Sequence, residues 1–265
     1  MKIGFIGLGN MAGAMIGGIL GKGLVEPCDI VGFDPVETAR ARMKEKFDVE
    51  IAESNRDAAR EADILFLAVK PLFLSQVIGE IREDVSQKTL IVSIVAGKEL
   101  NYLTETFGRT ELKLIRCMPN TPALVLEGCT AVCASENVTD KEMEQVLALL
   151  RSFGKADIVP ECLMDAVVGV SGSSPAYVFM FIEAMADEAV AEGMPRKMAY
   201  EFAAQAVLGS ARMVLETGMH PGELKDMVCS PGGTTIQAVK VLEEKGMRAA
   251  VMDAMEACIR KSRSL

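Results

Sequence analysis

The chain reads as an α/β protein in two parts: a mostly parallel sheet wound with helices over residues 1–160, then an all-helical region over 161–265. Three observations predict this. Short β-branched runs alternate with helical patterns through the first part. Several of those runs are apolar throughout, as strands covered on both faces should be. Beyond residue 160 no strand pattern survives, and Ala, Met, Leu and Glu dominate.

Strands are expected at 2–6, 29–33, 64–69, 90–95, 113–117 and 130–134, with a last one at 155–159 before Pro160. In the second part Pro175 opens a helix over 176–191 that Gly193 closes. Pro195 opens another, which runs to about 217 and ends at Gly218. Further helices are expected over 221–227, 233–244 and 247–260. Many of them are apolar around much of their circumference, as in YVFMFIEAMADEAV, and so need burial on more than one side. A helical region of this size offers limited interior, which makes a partner subunit the place for the excess.

Composition narrows the function. Asp and Glu outnumber Lys and Arg 37 to 28, and a net charge of -9 argues against nucleic acid or an anionic membrane as a partner. A small anion stays open as a substrate, because a local cluster of N–H groups can oppose the global field. Seven Cys without CxxC spacing read as reduced thiols, and a single His argues against a zinc site or a His-based triad, so no metal is expected. The longest apolar run, 176–182, falls well short of the ~20 residues of a membrane span. Gly4, Gly7 and Gly9 interrupt what would otherwise resemble a signal peptide, so a cytoplasmic protein is expected.

Gly7-Leu8-Gly9-Asn10-Met11-Ala12 forms G-x-G-x-x-A directly after the first strand and at the start of a helix. This is a dinucleotide fingerprint: Gly7 for the tight turn, Gly9 for close approach of a pyrophosphate, Ala12 for helix–strand packing. It makes the first part a Rossmann-type domain. Asp34 ends the second strand, where an acidic side chain binds the adenosine ribose and favours NADH; it also suits the cap of the next helix, with Pro35 at that helix's first position. Arg40, Arg42 and Lys44 follow closely enough to turn toward it. Ala68-Val69-Lys70-Pro71 and Met118-Pro119-Asn120-Thr121-Pro122 end later strands, where ligands sit in open α/β sheets, and the two prolines would hold Asn120 in a fixed pose. The run from His220 to Thr235 is the densest signal. Ser230 reads as an N-cap and Pro231 as the first helical residue; the two glycines that follow suggest that a carboxylate approaches bare N–H groups. His220 suits a helix start better than a general base, and Cys229 has no base to activate it.

These motifs — G-F-I-G-L-G-N-M-A, A-V-K-P, M-P-N-T-P, V-S-G-S-S-P-A-Y (170–177) and H-P-G-E-L-K-D-M-V-C-S-P-G-G-T-T — give the chain a resemblance to the pyrroline-5-carboxylate reductases over its whole length. The resemblance implies reduction of Δ1-pyrroline-5-carboxylate to L-proline by NADPH or NADH, the last step of proline biosynthesis. It implies a substrate cradle at Ser230, Pro231, Gly232, Gly233, Thr234 and Thr235, with Thr235 against the ring nitrogen as the catalytic contact and Glu161 nearby. It places the dinucleotide on Ile6, Gly7, Leu8, Gly9, Asn10, Met11, Asn55, Ala68, Val69, Lys70, Pro71, Val95 and Ala96. Asn120 is expected with them from its place at a strand end. It also implies helical domains that interlock in a homodimer, and dimers that build larger rings. Many members carry a small hydroxylated residue where Asp34 stands, so Asp34 predicts that NADH is usable. β-Hydroxyacid dehydrogenases share the architecture but carry a catalytic Lys on the first long helix of the second domain; residues 168–184 contain none. A non-catalytic dinucleotide sensor would have no need of the 230–235 cradle.

Overall fold

The computed structural model describes residues 1–264. Its strands are β1 (Ile3–Ile6), β2 (Ile30–Phe33), β3 (Glu50–Ile51), β4 (Ile64–Leu67), β5 (Leu90–Ser93), β6 (Lys113–Met118), β7 (Gly128–Ala134) and β8 (Gly154–Ile158). They form one sheet in the order β3-β2-β1-β4-β5-β6-β7-β8, parallel except where β7 runs against β6. The short edge strand β3 has no clear pattern in the sequence. The reversal at β7 follows from its connection: only a single-turn 3₁₀ segment, Thr121–Val125, separates it from β6, too short for the crossover a parallel pair requires.

Period-2 alternation sends the strand side chains into two cores. Ile3, Phe5, Ile64 and Phe66 face α1 (Asn10–Gly21) and the later helix Asp140–Leu150, with the Phe5 and Phe66 rings stacked at 4.8 Å. Ile6, Leu65 and Leu67 face three helices on the other side: Asn55–Glu61, Leu74–Ile81 and Leu100–Phe107. With Glu37–Phe47 as α2, these three become α3, α4 and α5, and Asp140–Leu150 becomes α6. Both faces of the sheet are thereby covered, leaving the carboxyl ends of the strands as the open edge.

The chain divides into two compact units, residues 1–173 with 258–264, and Ser174–Ala257. Residues 161–173 and 258–264 belong to the same compact unit as the sheet, so the break by compactness lies after 173, while the boundary expected at 160 marks the change of sequence pattern. Here α7 (Met164–Val167) continues into a π-turn over Val168–Gly172. Ser262 Oγ donates to Asp165 Oδ1 at 2.7 Å, and the Cys258 thiol donates to Ser173 Oγ at 3.2 Å.

The second unit contains α8 (Ser174–Ala191), α9 (Arg196–Thr217), α10 (Pro221–Val228), α11 (Thr234–Glu244) and most of α12 (Met247–Ser262). α8 packs on α9, and Gly218 closes α9 in the left-handed region with φ +66°. Large apolar side chains stay exposed along these helices, among them Phe179, Met180, Phe202, Leu215 and Met252, each above 60%. The continuous helical stretch Glu161–Ala191, 31 residues containing an 18-residue window with a mean hydropathy of 1.3, is long and apolar enough to cross a membrane by length and composition. The sequence runs alone, read without the helical continuity of 161–173, do not reach that length.

Candidate active site

The open sheet edge gathers three loops. Gly7 N–H donates to Phe33 O, Ala68 N–H to Ile6 O and Ile94 N–H to Leu67 O, so the turns after β1, β4 and β5 are tied side by side. Gly7 has φ +93°, and a Cβ there would lie 2.5 Å from Ala68 O, so the turn requires glycine. Gly9 is the N-cap of α1 and offers no side-chain cap. A Cβ on it would enter open space, which is the cradle a pyrophosphate would fill over the bare N–H groups of the first turn. Asn55 begins α3, donates from Nδ2 to Glu80 Oε2 at 2.7 Å, and keeps its buried Oδ1 without a partner. That orphaned acceptor and the open Gly9 cradle both fit a dinucleotide. Lys70 is exposed at the start of the Pro71–Phe73 turn, and Val95 is buried under the 94–97 loop.

Asp34 stands at the end of β2 with both carboxylate oxygens used. Oδ2 accepts from Leu8 N–H at 2.8 Å and Oδ1 from Val36 N–H at 2.9 Å. It therefore buttresses the glycine turn and forms an Asx-turn into α2. The helix opens at Glu37, not at Pro35 as the capping expectation had it, because Val36 takes the extended N-cap conformation. Arg40 donates to Asp34 O at 2.6 Å and lies over the Phe33 ring, while Arg42 donates to Leu8 O at 3.1 Å. Lys44 pairs with Asp48 instead. Two guanidinium groups thus stand at the end of β2 beside one carboxylate.

Asn120, expected among the cofactor residues, is engaged within the protein. Its Nδ2 donates to Ser171 O at 3.0 Å, its Oδ1 accepts from Cys129 N–H at 2.8 Å, and the side chain is buried. One donor and one acceptor of the amide thereby tie the end of β6 to β7 and to the π-turn, a structural role for this side chain.

Glu161 opens a 3₁₀ turn, Glu161–Leu163, and its Oε1 accepts from Leu100 N–H at 2.8 Å and from Arg116 Nη1 at 2.9 Å. Arg116, inside β6, is the site residue the sequence reading passed over. Its signal is plain in retrospect: KLIRCM carries a cation in the middle of a run buried on both faces. The Cys133 thiol opposite is pushed up to about 12 by burial, with the Glu161 charge adding to the effect and Arg116 opposing it. Such a thiol is no nucleophile at neutral pH. No cluster of metal-ligating side chains occurs among the described residues.

In the helical unit, residues 230–233 form a turn rather than the first turn of a helix. Gly233 N–H donates to Ser230 O at 3.0 Å, Pro231 takes the second position, and Gly232 has φ +69°, which is the pattern of a type II turn. Gly233, not Ser230, is the N-cap of α11, and it too lacks a side-chain cap. The helix start presents bare N–H groups beside the Thr234 and Thr235 hydroxyls. His220 caps α10, accepting from Gly222 N–H at Nδ1.

A glycine-turn dinucleotide cleft on a doubly covered sheet, with a separate uncapped helix start in a helical unit, defines a two-domain nicotinamide-dependent oxidoreductase. A family model for pyrroline-5-carboxylate reductase dimerisation matches residues 161–265, and one for NADP oxidoreductase, coenzyme F420-dependent, matches 2–97. The chain is 54% identical to the pyrroline-5-carboxylate reductase of Escherichia coli, covering 100% of this chain and 98% of that protein, and 45% identical to that of Methanosarcina acetivorans, covering 100% and 97%. The crystal structure of the Plasmodium falciparum pyrroline carboxylate reductase with NADP bound superposes with a TM-score of 0.91 at 32% identity, covering 100% of this chain and 97% of that one. The chain belongs to the pyrroline-5-carboxylate reductase family.

Proposed function

We propose that this protein reduces Δ1-pyrroline-5-carboxylate to L-proline at the expense of NADPH, the last step of proline biosynthesis. One observation carries the reading: two helix starts, Gly9 of α1 and Gly233 of α11, are both glycine-bearing and both without a side-chain cap. The first suits a pyrophosphate and the second a carboxylate. The full-length identity with reductases of this name supports the same conclusion.

When bound, the reduced nicotinamide supplies the hydride. The chain's own part is positional. The Ser230–Thr235 turn and helix start holds the substrate carboxylate, the Thr235 hydroxyl orients the ring nitrogen, and Glu161 stands near the cationic imine. A protonated cyclic imine is already electrophilic, so alignment does most of what catalysis requires, and no metal or strong acid is needed. On the dinucleotide side, Ile6 to Met11 cradle the pyrophosphate, Asn55 Oδ1 accepts from the cofactor, and Ala68 to Pro71 with Val95 and Ala96 line the nicotinamide end. The test is oxidation of NADPH on addition of pyrroline-5-carboxylate, with L-proline as the product; no turnover would refute the reading.

Asp34 keeps NADH in use beside NADPH. Its carboxylate repels a 2′-phosphate, while Arg40 and Arg42 draw one in, so the two donors are closely matched. Asp34→Ser is expected to shift the ratio of kcat/KM for the two donors toward NADPH by about fivefold to thirtyfold at fixed salt. An unchanged ratio would reduce Asp34 to its role as a buttress of Leu8 and Val36.

The exposed apolar faces of α8, α9, α11 and α12 suit a second copy of the chain, and dimers of this kind suit assembly into larger rings. The free thiols fit the reducing cytoplasm, where we place the protein. Sedimentation at micromolar concentration is expected to find dimers or larger species carrying all the activity. A monodisperse, active monomer would overturn this assembly.

A further inference from the structure

Arg116 occupies a place where a neutral side chain is the rule. It lies in β6 among the buried residues Leu114, Ile115 and Cys117, aligned with Ser93 of β5 and Cys133 of β7. A guanidinium taken out of water at such a place is tolerated only with a close carboxylate. Of the acids nearby, Asp165 is already held by Ser262 and faces Arg263 at 3.7 Å. Glu161 is the one that pairs with Arg116.

The pairing has a direction. Glu161 stands on a one-turn segment that gives its side chain no local support. Both anchors, Arg116 Nη1 and the Leu100 N–H, converge on Oε1, while Oε2 accepts from no protein donor among the described residues. The carboxylate is therefore fixed by one oxygen and offers the other. The Leu100 N–H anchors from a helix start, which by itself allows the carboxylate to swing; the guanidinium supplies the second point that stops it.

We propose that Arg116 is a positioning residue for the reductase reaction: by fixing Oε1 of Glu161 it presents Oε2 in one orientation to the cationic cyclic imine. This rests on the placement of Glu161 at the substrate given above. Arg116 itself does not touch the reacting atoms, so its loss loosens substrate binding and leaves the hydride step largely intact.

Steady-state kinetics on the full-length protein test this, with thermal unfolding measured alongside. Glu161→Gln is expected to raise KM for pyrroline-5-carboxylate about tenfold, as loss of one charged contact would. Arg116→Met is expected to raise the same KM by a similar factor, with KM for NADPH within about twofold and kcat within about threefold of wild type. Arg116→Lys is expected to restore most of the loss. The double variant is expected to be no worse than either single one, since both remove the same contact. Should Arg116→Met not fold, the double variant, which removes both charges together, gives the comparison with Glu161→Gln. A lowered Tm with an unchanged KM in Arg116→Met, beside an affected Glu161→Gln, overturns the positioning role alone. So does a double variant whose KM is the product of two independent losses. A Glu161→Gln variant that behaves as wild type overturns the placement of Glu161 and the positioning role with it.

Discussion

Replacing Gly9 by valine is expected to leave the chain folded and to weaken NADPH binding by on the order of a hundredfold or more, as losing two charge-assisted hydrogen bonds would. Gly9 has φ -74°, which any residue adopts, and nothing in the protein lies within 4 Å of an added Cβ. The fold therefore has no objection to a side chain there beyond a poorer N-cap, a cost of about 1 kcal/mol. A pyrophosphate bound as proposed would have one, because it would reach the bare N–H groups of α1 through that same space. Gly7→Val is the contrasting control. With φ +93° and Ala68 O at 2.5 Å from the added Cβ, it is expected to lower stability by roughly 3 kcal/mol or more, before any nucleotide is present. Thermal unfolding without nucleotide and calorimetric titration with NADPH separate the two cases. Wild-type affinity in Gly9→Val would show that the dinucleotide does not use this helix start.

The second large effect is expected at Thr235. Thr235→Val keeps the β-branched shape and removes only the hydroxyl, at the second residue of α11 where the chain is half-buried. Neither the type II turn at 230–233 nor the N-cap at Gly233 depends on that oxygen, so the helix start and its N–H groups survive. We expect kcat/KM for pyrroline-5-carboxylate to fall roughly tenfold to a thousandfold, in line with the loss of one well-placed polar contact. KM for NADPH should not move if Thr235 serves the substrate side, as proposed. Unchanged kinetics would remove Thr235 from the mechanism and leave the carboxylate cradle to the N–H groups alone.

Features that depend on local chemistry were legible in the residues. Apolar β-branched runs placed all the strands but one, and glycine in the left-handed region at 7 and 218 was legible because no other residue enters that conformation cheaply. The G-x-G-x-x-A turn was legible for the same reason: strand, turn and helix are contiguous, and each glycine answers to a nearby steric demand. Other features depend on partners distant in the chain and emerge only from the packing. Asp34 carries the signature of a ribose ligand, yet its carboxylate reaches back 26 residues to the Leu8 N–H. Asn120 looks like a presented side chain until Ser171 and Cys129 absorb both ends of its amide. Ser230 has the composition of an N-cap, but Pro231-Gly232 closes a type II turn first and passes the cap to Gly233. Arg116 and Glu161, 45 residues apart, become a pair only when β6 and the 161–163 turn are packed together. A side chain's type sets which bonds it can make; the packing that brings a partner within 3 Å sets which one it does make, and that distance has no counterpart in the local sequence.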